Sequence, residues 1–168
     1  MKKMIKAISN TSPIIGLSMI DHLHLLWELF DIYIPQEVYN EVVLQSSEDA
    51  IGKIELRNAV AEGNINLHEV QDQEFVKKAY GRLHKGELEV IVGAKEIGAN
   101  IVIIDERSAR NFAEALLLKP LGILGILRLA KAKGKIEEIK PLIDLLVLNK
   151  FRISSKMINQ LLREVGEQ

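Results

Sequence analysis

The stretch ISNTSPIIGL, residues 8–17, joins an apolar strand to a helix and puts Asn10 at the junction. MIKAIS (4–9) reads as a buried strand. Ser12 then suits a helix N-cap and Pro13 the first helical position, where its missing N–H costs nothing. Apolar residues at 14, 15, 17 and 20 share one helix face. Asn10 therefore stands just past a strand end, either shaping an Asx-turn or presenting its amide to a ligand.

Working outward, strand and helix signals alternate. Further strands are expected at DIYI (31–34, ended by Pro35), INLHEV (65–70) and NIVIID (100–105). Helices are expected at HLHLLWELF (22–30, capped by Asp21), QEVYNEVV (36–43) and EDAIGKIELRNAVAEG (48–63, closed by Gly63). QEFVKKAYGRL (73–83), GELEVIVGAKEIG (86–98, stopped by Gly98) and ERSARNFAEALL (106–117) follow, then helices near 123–133, 136–148 and 154–165. Strands separated by helices imply parallel pairing through helical crossovers, hence a three-layer α/β architecture. With no internal repeat, low-complexity tract or linker, residues 1–168 are expected to form a single domain. Residues from about 120 onward are expected to be a helical extension on the same core.

Composition narrows the function. The chain is 48% hydrophobic and 27% charged, as in ordinary globular proteins, and has no cysteine for a disulfide or thiolate metal site. The longest late apolar run, PLGILGIL (120–127), is far below the ~20 residues of a membrane span. The early one lacks a signal-peptide cleavage pattern, so the expected location is cytoplasmic. A net charge of −1 conceals an asymmetry. Residues 21–75 carry twelve acids against two bases, and residues 119–163 ten bases against three acids. Solvated helix faces would account for this; so would a basic surface beside an acidic pocket, suited to a polyanion.

Ligands of open α/β sheets bind at the carboxyl ends of strands. Asn10 ends the first strand, Asp105 ends IVII, Glu87 opens a helix, and Glu41 lies in the helix after Pro35. Their oxygens suit Mg²⁺ or Mn²⁺, and such a metal activates water and steadies charge on a phosphodiester. Taken singly, Asp105 could cap the next helix, and Glu87 and Glu41 could be ordinary helix acids. Thr11 or Ser12 could bond a metal-bound water or phosphate, or merely cap. Arg107 and Arg110 share a helix face and could clamp phosphate. Glu89 and Glu106 stand close enough in sequence to substitute as ligands. His22, His24, His68 and His84 lack a metal-ligand spacing. GILG (122–125) lacks the lysine of a phosphate loop, and no glycine fingerprint favours a nucleotide binder.

In order along the chain, ISNTSPIIGL, PQEVYNEV, GELEVIVGA and IVIIDERSAR resemble the four motifs of the PIN-domain family, specifically a prokaryotic branch similar to toxin-type ribonucleases of toxin–antitoxin pairs. GILGILRLAKAKG and NKFRISSKMINQLL also resemble this branch. The resemblance implies a Rossmann-like PIN-like fold and a pocket of Asn10, Glu41, Glu87 and Asp105 that holds Mg²⁺ or Mn²⁺. It implies endonucleolytic cleavage of RNA, a homodimer and, for toxin types, an antitoxin protein partner. Asn10 departs from the family's aspartate. Its amide can coordinate a hard cation but supplies no negative charge, lowering metal affinity by about one to two orders of magnitude. The expectation is a weakened nuclease; the alternative is a PIN-like module that binds RNA or a protein partner with little catalysis.

Overall fold

The computed structural model describes residues 3–168, leaving Met1 and Lys2 outside it. Its strands are β1 (Lys6–Ser9), β2 (Asp31–Pro35), β3 (Asn66–His68), β4 (Ile101–Ile103) and β5 (Lys119–Leu121). All pair in parallel, in the order β3-β2-β1-β4-β5. The central strands are covered on both faces: Ala7, Ile8 and Ser9 of β1 and Val102 and Ile103 of β4 are buried. Such two-sided burial is why they read as continuous apolar runs. Helices flank the sheet, giving the expected three-layer α/β fold.

β5 corrects the sequence reading, which placed residues from about 120 in a helical extension. It is three residues long and contains Pro120, so it shows no strand periodicity. As an edge strand it tolerates the missing N–H. The ladder is kept by Ile104 N–H to Leu121 O (3.0 Å) and Lys119 N–H to Asn100 O (2.7 Å). The rest of that segment is helical: α8 (Ile123–Ala132), α9 (Lys140–Leu148) and α10 (Ser155–Glu164). α8 packs on α1 (Thr11–Met19) and α2 (Leu25–Leu29), α9 packs on α1, and α10 packs on α8. Ile126, Leu127, Ile143, Leu146 and Leu161 thereby join the same core as the sheet.

Several helices differ from their expected bounds; the stretch 73–83 ends at Ala79 and 136–148 begins at Lys140. The stretch 22–30 shortens to α2, because Asp21 does not cap it. Asp21 instead adopts a left-handed backbone (φ 57°) and closes α1, with its N–H on Ser18 O and that of His22 on Leu17 O. Leu23, Leu25, Leu26 and Phe30 of this stretch are buried, so its apolar face serves the core. The stretch 36–43 splits into α3 (Gln36–Tyr39) and a π-helical turn over Asn40–Leu44, where Gln45 N–H reaches Asn40 O (2.8 Å). The stretch 48–63 shortens to α4 (Lys53–Ala61), beginning after Gly52. The remaining helices are α5 (Gln73–Ala79), α6 (Lys85–Ile97), stopped by Gly98 at φ 72°, and α7 (Arg107–Ala115). Among the described residues no helix is long and apolar enough to cross a membrane.

Two glutamates tie distant segments together. Glu96 accepts the N–H groups of Gln71 and Asp72 and contacts His68 Nε2 at 2.8 Å, pinning the β3–α5 loop to α6. Glu167 accepts the N–H groups of Ile139 and Lys140 and pairs with Lys131 Nζ at 2.7 Å, fixing the start of α9. Burial would raise both carboxyl pKa values. For Glu96 the Gln71 N–H, His68 and the Asp72 N–H outweigh it, and for Glu167 Lys131 and the two backbone N–H groups do. Both therefore lie below the ordinary value of 4.5. Each carboxylate contributes stability at higher pH that is lost as pH falls through its lowered value. At pH 7 Glu96→Gln or Glu167→Gln should each cost about 1 kcal/mol, allowing for screening at these partly buried sites near the surface. Thermal melts across pH 7 to 3 should show each variant's deficit shrinking toward zero in acid.

Candidate active site

The chain builds β1, β2 and β3 outward on one side, then crosses back to place β4 on the other side of β1. Strand order thus reverses between β1 and β4, and the crevice beyond such a switch point is where open α/β sheets bind ligands. Ser9 is in register with Ile103, and Ile103 with Leu121. Asn10, Asp105 and Gly122 consequently emerge along the same edge.

Asn10 continues the ladder through its N–H to Ile103 O (3.0 Å) and then ends it with an extended backbone. α1 begins at Thr11, so Asn10 and not Ser12 occupies the N-cap position. Pro13 still falls in the first turn, where N–H groups lack intrahelical partners. The Asn10 side chain makes no capping bond, and its oxygen is turned toward α6.

Glu41 reaches the crevice from the π-helical turn, a distortion often found at functional sites. Thr11 Oγ1 donates to Glu41 Oε2 at 2.8 Å, fixing the carboxylate. A Cβ placed on Gly86 would lie 3.2 Å from Glu41 Oε1 and 3.4 Å from Asn10 Oδ1. These two oxygens therefore converge on bare backbone in the first turn of α6. Glu87 is the next residue. It is 5% exposed, and its Oε2 is buried without a hydrogen-bond partner. Burial raises its pKa, and the charges of Glu106 and Glu41 add to the shift against the opposing pull of His84.

Asp105 meets this group through Ser12. Its Oδ1 accepts Ile123 N–H at 2.8 Å, so it caps α8, not the α7 helix that follows it in sequence. Oδ2 lies 3.5 Å from Ser12 Oγ. Burial raises the Asp105 pKa, opposed by the Ile123 N–H, Arg110 and Ser12. Gly122 makes room: a Cβ there would stand 2.9 Å from Asp105 Oδ1 and 3.6 Å from Arg110 Nη1.

The structure thus gathers Asn10, Thr11, Glu41 and Glu87, with Glu106 acting on Glu87, and beside them Ser12, Asp105 and Arg110. Arg107 is exposed at the start of α7 and makes no ion pair among the described residues. Glu89 is buried against α5, accepting from Gln73 Nε2 at 3.1 Å, and takes no part in the crevice. His68 belongs to the Glu96 tie and His22 to the Ile20 carbonyl. Gly86, Gly122 and the Ile123 N–H were not singled out from sequence; the signal for Gly86 is a glycine in a helix's first turn, against propensity.

Among the described residues no three acidic or histidine side chains are already close enough to enclose an ion. The donors nonetheless fit a hard divalent cation. Glu41 Oε1 and Asn10 Oδ1 converge, and Glu87 Oε2 is a buried carboxylate oxygen without a hydrogen-bond donor. Asn10, Glu41, Glu87 and Asp105, whose Oδ2 takes no part in capping α8, would hold such an ion.

No curated protein matches the chain. A family model described as a PIN domain matches residues 6–167, from the first residue of β1 to the Glu167 tie. The PIN domain is generally a nuclease fold and typically depends on divalent metal. The strand-end crevice, its convergent oxygens and the five-stranded parallel sheet accord with that match, and the chain belongs to the PIN-domain family.

Proposed function

We propose that this protein is a Mg²⁺- or Mn²⁺-dependent endoribonuclease hydrolysing RNA phosphodiester bonds, with activity weakened by Asn10. The observation that carries the reading is the convergence of Glu41 Oε1 and Asn10 Oδ1 on Gly86, with Glu87 Oε2 of the next residue buried and without a hydrogen-bond partner. A bound cation there supplies an activated water and charge stabilisation at phosphorus. Thr11 holds one oxygen of Glu41 so that the other faces the crevice. Glu87 supplies negative charge that burial keeps from being screened by water. Arg110, beside Asp105 and the bare Gly122 backbone, is placed to meet a phosphate oxygen; Ser12 and Arg107 flank it. The resemblance of its motifs to toxin-type ribonucleases supports a further part of the proposal: a cytoplasmic homodimer that is the toxin of a toxin–antitoxin pair, held by an antitoxin.

A second reading has its own support. Asn10 lacks the charge of an aspartate, and one oxygen of Asp105 is taken by the start of α8. A catalytically weak module that binds RNA or a protein partner would retain the same crevice. Calorimetric titration with Mn²⁺ separates the two. The nuclease reading expects weak binding by the wild type and about 10- to 100-fold tighter binding by Asn10→Asp, the scale of gaining one anionic ligand. No binding by either protein would favour the module.

A further inference from the structure

We infer that the RNA backbone leaves the crevice across α1 and lies on the Lys150–Arg152 turn, making Lys150 and Arg152 its main phosphate contacts outside the crevice; this rests on the ribonuclease reading above. The basic C-terminal segment is not uniform. Arg128 pairs with Glu164 at 3.1 Å, Lys131 with Glu167 at 2.7 Å, and Lys140 with Asp144 at 3.2 Å. Lys150 and Arg152 are exposed and make no ion pair among the described residues.

Position separates them further from Lys131, Lys133 and Lys135. Between them, Phe151 is packed against α1: a Cβ on Gly16 would lie 2.7 Å from the Phe151 ring and 2.6 Å from Ile123 Cδ1. Ile123 in turn donates its N–H to Asp105. A chain of direct contacts, Phe151 to Gly16 to Ile123 to Asp105, therefore joins this turn to the crevice. α8 starts at that same Ile123 and leads away. At 1.5 Å per residue, Lys131 is about 12 Å along the helix and Lys133 and Lys135 lie beyond it.

The turn is also pre-ordered. Lys150 N–H bonds Val147 O (3.0 Å) and Phe151 N–H bonds Leu146 O (2.9 Å), with Lys150 in a left-handed conformation (φ 62°). Holding the backbone this way lowers the ordering cost of binding.

The test compares binding of a fluorescently labelled, mixed-sequence single-stranded RNA in chelator, from 50 to 200 mM salt, by wild type and two variants. Lys150→Gly/Arg152→Gln and Lys133→Gln/Lys135→Gln lose the same charge. Glycine suits the left-handed position, so the first variant should melt no lower than wild type. It is expected to bind at least about 10-fold more weakly and to reduce the log–log salt slope by about 1.4, two phosphate contacts on a single strand. The second should stay within about twofold of wild type, as the distance along α8 requires. Equal weakening by both variants, or an unchanged slope in the first, overturns the inference and leaves the ribonuclease reading standing. Wild type that binds no RNA overturns both.

Discussion

Glu87→Gln is expected to make the metal-free protein more stable while removing its response to Mn²⁺. The wild-type side chain carries a buried oxygen with no partner, and the charges of Glu41 and Glu106 bear on it. An unsatisfied buried polar atom costs about 1–3 kcal/mol. Burial disfavours the charged form more than His84 favours it, so neutralising this carboxylate should give a gain of about 1 kcal/mol in thermal or denaturant unfolding under chelator. Wild type should then gain stability on adding Mn²⁺, because a ligand that binds only the folded state stabilises it. The variant should gain far less. An acid placed there for structure alone would behave oppositely, with the variant losing stability and Mn²⁺ affecting both proteins equally. Trading stability for function in this way is usual at sites that concentrate like charge.

Asp105→Ala is expected to destabilise by about 2 kcal/mol, and Asp105→Asn by well under half of that. Alanine leaves the Ile123 N–H at the buried start of α8 without its acceptor, and Arg110 without its neighbouring charge. Asparagine keeps an acceptor oxygen at the same place. Chemical denaturation of the three proteins measures the difference. If asparagine costs as much as alanine, the charge of Asp105 matters more to the fold than its cap. Cleavage assays on the same proteins add a second comparison: loss of activity in the well-folded Asp105→Asn would show that the charge also serves the reaction.

What could be read from sequence follows physical lines. β1 and β4 were legible because burial on both faces leaves uninterrupted apolar runs that stop at a polar residue. The end of α6 was legible because Gly98 fits the left-handed closing position. Asn10, Glu41 and Glu87 were legible as a group because strand-end and helix-start positions converge in this topology. β5 was hidden by its length and by Pro120, and the π-helical turn under Glu41 by having no residue signature of its own. The partner of Asp105 was hidden for another reason: the N–H it caps belongs to Ile123, eighteen residues away. Sequence showed that residues 119–163 are basic, but only the fold shows that Arg128, Lys131 and Lys140 are paired while Lys150 and Arg152 are not.

The most direct test of the central claim is cleavage of a mixed single-stranded RNA in Mn²⁺ by wild type, Asn10→Asp and Glu87→Gln. The account predicts slow, chelator-sensitive cleavage by wild type, faster cleavage by about 10-fold or more in Asn10→Asp, and none in Glu87→Gln. Silence in both wild type and Asn10→Asp, with all three proteins folded, would contradict it and leave a PIN-domain protein that binds without cutting.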